Sequence, residues 1–102
     1  MVDFVTGTAV FRSLEPWQGE TLGKIGSSDV YLLYADSSYT WHTNKTDELF
    51  CVLEGCVDMD VRDAAGERRV RLERGEFAMI RAGEEHVAHP IGEARILIVA
   101  GG

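Results

Sequence analysis

Apolar residues come in short runs along this chain, each ended by glycine or a small polar cluster. Runs at 2–5, 9–11, 21–25, 30–35, 39–43, 48–53, 57–62, 68–72, 76–80, 86–89 and 95–99 read as strands. The breakers include Gly26-Ser27-Ser28, Asp36-Ser37-Ser38, Glu54-Gly55, Ala65-Gly66, Arg74-Gly75, Ala82-Gly83 and Gly92. No segment keeps apolar residues at helical spacing for three turns, so no long helix is expected. Only Ser13 to Trp17 suits a short helical turn, with Pro16 tolerated at an early position. Many short strands with frequent turns predict an all-β sandwich or barrel, spanning 1–102 as one domain.

Alternation assigns faces. A period of two puts Thr40, His42 and Asn44 on one side and Tyr39, Trp41 and Thr43 on the other. Glu48, Phe50 and Val52 share one side of the next strand, opposite Leu49, Cys51 and Leu53. Both sides are apolar, as they are in Val30-Tyr31-Leu32-Leu33-Tyr34, so both must be covered. One can line a barrel. The other needs a second sheet or a second copy of the chain, which points to a homodimer. Val57, Met59 and Val61 alternate with Asp58 and Asp60 in a half-exposed strand, and residues 62–69 form a charged, solvated hairpin loop.

Charge narrows the partners. A net charge of −7 disfavours nucleic acid and anionic membranes, which need a basic face. No apolar run approaches the roughly 20 residues of a membrane span. The N-terminus lacks a basic start followed by an apolar block, so no signal peptide is expected and a cytoplasmic location is the default. Cys51 and Cys56 fall on adjacent strands around the Glu54-Gly55 turn. A bridge between them is conceivable, but two reduced thiols are expected in a cytosolic chain.

The candidate chemistry lies in two stretches, Trp41 to Gly55 and Gly75 to His86. His42 and Asn44 point the same way, and three intervening residues allow a bend that brings Glu48 beside them. His86 follows the turn at Ala82-Gly83 on a different hairpin, and inward side chains of neighbouring barrel strands converge. Two imidazoles and a carboxylate form a facial set that leaves open positions on a divalent metal. Phe50, Val52, Phe77 and Met79 are core candidates that line the pocket. Trp17 and Trp41 read as packing residues, and His89, of opposite parity to His86, as surface or rim.

These residues resemble the cupin superfamily. Its first motif, G-x5-H-x-H-x3,4-E-x6-G, is similar to the run from His42 through Asn44 and Glu48 to Gly55, with spacings of three and six preserved. Asp36 replaces the opening glycine, and Asn44 the second histidine. Its second motif, G-x5-P-x-G-x2-H-x3-N, is similar to Gly75, Arg81, Gly83, His86 and Pro90, with arginine for the first proline and proline for the asparagine. The resemblance implies a cupin-type double-stranded β-helix, a jelly-roll barrel. It implies His42, Asn44, Glu48 and His86 as ligands of a divalent transition metal: Fe, Mn, Ni, Zn or Co. The implied functions are a metal-dependent enzyme, dioxygenase-like or isomerase-like, acting on a small molecule in the barrel, or a non-catalytic binding or sensor cupin with a weak or empty metal site. Asn44 favours the second somewhat, since an amide oxygen is a poorer donor than imidazole for late transition metals.

Overall fold

A computed structural model describes residues 2–101. Its strands are β1 (Gly19–Ile25), β2 (Ser28–Ala35), β3 (Glu48–Glu54), β4 (Cys56–Asp63), β5 (Gly66–Glu73), β6 (Phe77–Ile80), β7 (Glu85–Pro90) and β8 (Ala94–Ala100). They form two antiparallel sheets, a five-stranded one of order β1-β2-β8-β3-β6 and a three-stranded one of order β5-β4-β7. The architecture is all-β, with the two sheets facing each other across a shared core. The one helical element among the described residues is the 3-10 turn Thr8–Val10. No helix among them is long and apolar enough to cross a membrane.

Side-chain parity builds the core. In the large sheet the register pairs Phe50 with Ile98 and Val52 with Ile96, and carries Leu33 opposite Ile96. Residues directly opposite share a face, so these side chains turn together between the sheets. From the small sheet, Val57, Met59 and Leu72 meet them. Ile96, Val52 and Val57 are the largest side chains with essentially no exposure. Both thiols are free, on β3 and β4.

The outer face of the small sheet is organised by charge. Asp58 and Asp60 stand opposite Arg71 and Arg69. Each arginine grips its aspartate with two hydrogen bonds, Arg71 to Asp58 at 2.8 and 3.0 Å and Arg69 to Asp60 at 2.6 and 2.9 Å. These guanidinium groups hold both carboxyls below their ordinary pKa. The forked, charge-assisted geometry fixes the register of β4 on β5.

The large sheet is apolar outside as well as in, and the N-terminal segment covers part of that outer face. Phe4, Val5 and Phe11 border an open groove there with Leu22 and Leu32, and Arg95 donates from Nε to the Phe11 carbonyl at 2.9 Å. The strands expected at 2–5 and 9–11 are absent. Gly7 takes a left-handed conformation (φ 68°) that breaks the extended run and starts the 3-10 turn, leaving the segment without a ladder partner.

The strand expected at 39–43 is also not regular. A single bridge, His42 to His86, ties this segment to β7. Further backbone bonds flank it, from Tyr39 N–H to the Ala88 carbonyl (3.0 Å) and from Gly83 N–H to the Asn44 carbonyl (2.9 Å). The segment therefore runs along the free edge of β7 without the strict two-residue period.

Candidate functional site

Three backbone elements bring the chemistry together. The bridge between the 39–44 segment and β7 is closed by two reciprocal N–H to carbonyl bonds between His42 and His86, each 3.1 Å. It sets the two imidazoles beside each other, with ring centroids 4.2 Å apart. After a bend at 45–46 the chain enters β3, whose first residue, Glu48, is an inward position paired with Ile80 and Ala100. Asp47 faces outward and accepts the Ala82 N–H at 2.9 Å, pinning the β3 entrance to the turn before β7. Glu48 Oε1 then stands 3.9 Å from His86 Nε2.

Both histidines are locked the same way. The His42 Nδ1–H donates to the Thr40 carbonyl at 2.8 Å, and the His86 Nδ1–H donates to the Glu84 carbonyl at 3.0 Å. A carbonyl only accepts, so the proton of each neutral ring sits on Nδ1 and the Nε2 lone pair is left free. Burial pushes the His86 pKa down, with the neighbouring His42 adding to it and the Glu84 carbonyl opposing it. Burial thus favours the neutral imidazole at His86. Burial pushes the Glu48 carboxyl up, against smaller opposing effects of the Asn44 amide and His42.

The sign of the Glu48 shift gives a prediction. A carboxyl whose folded pKa lies above its unfolded value binds more protons when folded. Stability therefore falls as pH rises from the ordinary value of 4.5 through the raised one, and the loss is complete above it. In metal-free protein, Glu48→Gln is expected to melt higher than wild type at pH 7, with the gain vanishing below about pH 4.5. Melting curves across pH check this. An equal gain at every pH would contradict it.

The four side chains border a cavity of about 210 Å³ between the sheets. Aromatic rings form much of its wall: Trp17, Tyr31, Tyr39 and Phe50, with Leu33, Ala88 and Ile98 completing the apolar part. Trp17 and Tyr39 pack with centroids 5.2 Å apart, and Tyr39 meets His42 edge-on at 4.9 Å. Trp17 is the one non-glycine among the described residues with positive φ (67°). Its N–H bonds to the Tyr34 carbonyl (2.8 Å) and its indole Nε1–H to the Ser37 carbonyl (2.6 Å). A bulky residue in that region is strained and persists only where its surroundings hold it.

His42, Asn44, Glu48, His86 and Phe50 all border this cavity. Val52 does not. It lies fully buried in the core, two residues further along β3. Phe77 and Met79 are corrected more sharply. They pair with Cys51 and Leu49, so they occupy the outer face of the large sheet, where they are 59 % and 47 % exposed. The inward positions of β6 are Ala78 and Ile80, opposite Phe50 and Glu48. Arg81 points to solvent beside Asp47. His89 joins the outer charged face, contacting Ser38 Oγ at 2.7 Å and Asp60 Oδ2 at 3.1 Å. Trp17, Tyr31 and Tyr39 are wall residues that sequence reasoning missed. Tyr39 shares the cavity with His42 because the 39–44 segment breaks the alternation that was expected to separate them.

The donor types suit a first-row divalent ion, namely two imidazole nitrogens and one carboxylate. As they stand, no three His, Cys, Asp or Glu side chains among the described residues are grouped to hold a metal ion.

Comparison with known proteins agrees on the architecture. No protein-family model matches the chain, and no curated protein sequence matches it. Solved structures do. A cupin-2 domain containing protein from Shewanella frigidimarina superposes with a TM-score of 0.75 at 27 % identity, covering 83 % of this chain and 80 % of that one. A cupin superfamily protein from Desulfitobacterium hafniense gives 0.75 at 15 % identity over 93 % and 86 %. Hydroquinone 1,2-dioxygenase from a Sphingomonas species, with 4-hydroxybenzoate bound, gives 0.72 at 18 % identity over 86 % and 68 %. The chain therefore has the fold of a small cupin.

Proposed function

We propose that this cupin binds a small molecule in the cavity between its sheets and works with a divalent transition metal held by His42, Glu48 and His86. The observation that carries this reading is the shared tautomer lock. Both histidines give Nδ1–H to a backbone carbonyl and keep Nε2 free, the arrangement by which outer-shell groups orient metal-ligating histidines. A bound ion would supply Lewis acidity at open positions. The chain's own groups would orient the ligand against the aromatic wall and exclude water from it. Fe, Mn, Ni, Zn and Co all accept this donor set. A dioxygenase-like or isomerase-like reaction fits such a site, and one of the similar structures is a dioxygenase.

The test is metal content. Untagged protein, dialysed and analysed by mass spectrometry, is expected to carry near-stoichiometric transition metal, and His86→Ala to lose it. Metal-free protein whose melting temperature does not move with Fe, Mn, Ni, Zn or Co would defeat the ligand assignment.

A second reading is a metal-free binding or sensor cupin. It is favoured by the absence, among the described residues, of three His, Cys, Asp or Glu side chains grouped to hold an ion, and by the amide at position 44. Under either reading we propose a cytoplasmic homodimer. The outer face of the large sheet exposes Phe77 and Met79 beside half-buried Leu49, Cys51, Leu97 and Val99. Sedimentation is expected to show a dimer at micromolar concentration, and monomer alone would contradict it.

A further inference from the structure

Asn44 stands where the first motif usually carries a histidine, and its side chain is in an unusual state. Its Nδ2 is buried and makes no hydrogen bond. The neighbouring Glu48 carboxyl is close enough to feel the amide, but not in hydrogen-bonding geometry. A buried donor without an acceptor is uncommon, and each instance asks for a missing partner. Asn44 borders the cavity, and the terminal torsion of asparagine is broad, so the amide can turn towards whatever enters.

The rest of the cavity limits what that partner is. Among the described residues that line it, Glu48 is the one carboxylate and none is a lysine or arginine. Without a lysine or arginine, an anionic ligand would face that carboxylate with no permanent positive charge to offset it. Aromatic rings of Trp17, Tyr31 and Tyr39 form much of the wall, and such faces pack well against planar ligands. The volume, about 210 Å³, lies below the ~300–1,000 Å³ of sites for drug-sized ligands.

We infer that Asn44 is a specificity-determining residue whose amide donates to an uncharged acceptor oxygen, so that the cavity takes small, planar, neutral carbonyl compounds. This rests on the reading of the cavity as a small-molecule site, and it does not require the metal. Substitution of the histidine exchanges a strong metal donor for a group that recognises the ligand.

The experiment uses the full chain, treated with chelator and checked to be metal-free, with three probes of similar shape: acetophenone, ethylbenzene and benzoate. Wild type is expected to bind acetophenone about tenfold more tightly than ethylbenzene, the worth of one buried hydrogen bond, and benzoate more weakly than acetophenone. Acetophenone is also expected to shift the Asn44 side-chain amide protons downfield. In Asn44→Leu, which keeps the shape without the donor, the two neutral probes are expected to bind alike, with ethylbenzene affinity retained. Equal binding of both neutral probes by wild type overturns the inference, as does a preference that survives in Asn44→Leu. Tighter binding of benzoate, or no binding of any probe, overturns it too. Should Asn44→Leu not fold, the amide shift in wild type decides alone: no movement at saturating acetophenone overturns the assignment. Stoichiometric metal in a protein that fails to discriminate leaves the metal site standing without this role for Asn44. Discrimination by a protein that takes up no metal does the reverse.

Discussion

Ile96→Ala is expected to destabilise the protein by about 3–5 kcal/mol, read as a lower midpoint of denaturant unfolding with little change in slope. Ile96 has no solvent exposure, and it sits on β8, the strand that joins β2 to β3 in the middle of the large sheet. Its direct partners are Leu33 and Val52, on either side. Removing three carbon atoms there loses the transfer free energy of an apolar side chain. It also leaves a void that two flanking strands, held by backbone ladders, cannot collapse to fill. Ile98, two residues along the same face, forms part of the cavity wall, so slackening at 96 should reach the site. Ile96→Val, with one methylene fewer, is expected to cost only about 0.5–1.5 kcal/mol. Equal losses for the two substitutions would show that the region does not pack as described.

Gly55→Ala is expected to cost about 2–4 kcal/mol, an effect out of proportion to one added methyl group. Gly55 joins β3 to β4 at φ 88°, which side chains other than glycine rarely adopt. The added Cβ would also meet the Glu93 carbonyl oxygen and the Ala94 Cα at the start of β8. Both obstacles are backbone, so no rotamer change relieves them. Gly75 and Gly83 have positive φ (84° each) but open space around the missing Cβ. Alanine at either is expected to carry the conformational cost alone, about 1 kcal/mol. Unfolding midpoints of the three variants check the ranking, and a loss at Gly55 no larger than at the other two would contradict it.

Gly55 illustrates what could be read in advance. The motif marks it as a turn residue, and the turn is there. The close approach of β8 that makes it irreplaceable involves residues about forty positions away and left no local sign. The strands from 21 to 35 and from 48 to 99 were mostly legible because apolar runs alternate with glycine turns, although Arg62, Asp63 and residues 66–69, expected as loop, extend the β4–β5 hairpin. Those at 2–5 and 9–11 were not, because a run of strand-forming residues becomes a strand only where a ladder partner exists, and Gly7 turns this one away. Glu48 and His86 could be placed by motif spacing, since a strand entrance and a turn constrain them locally. Phe77 and Met79 could not. Parity says that they share a face, but only the pairing of β6 with β3 says which face, and the smaller Ala78 turns inward instead. Trp17 reads as a packing residue and does pack against the core, but nothing nearby in sequence shows that its backbone is held in a strained conformation that also places it at the cavity wall.

The metal centre is tested most directly by a crystal structure of protein soaked in cobalt or manganese, with data collected at the metal's absorption edge. One strong anomalous peak is expected inside the cavity, bound by Nε2 of His42 and His86 and by the Glu48 carboxylate. A peak elsewhere, or an empty cavity at a metal concentration that saturates ordinary histidine-carboxylate sites, would contradict it.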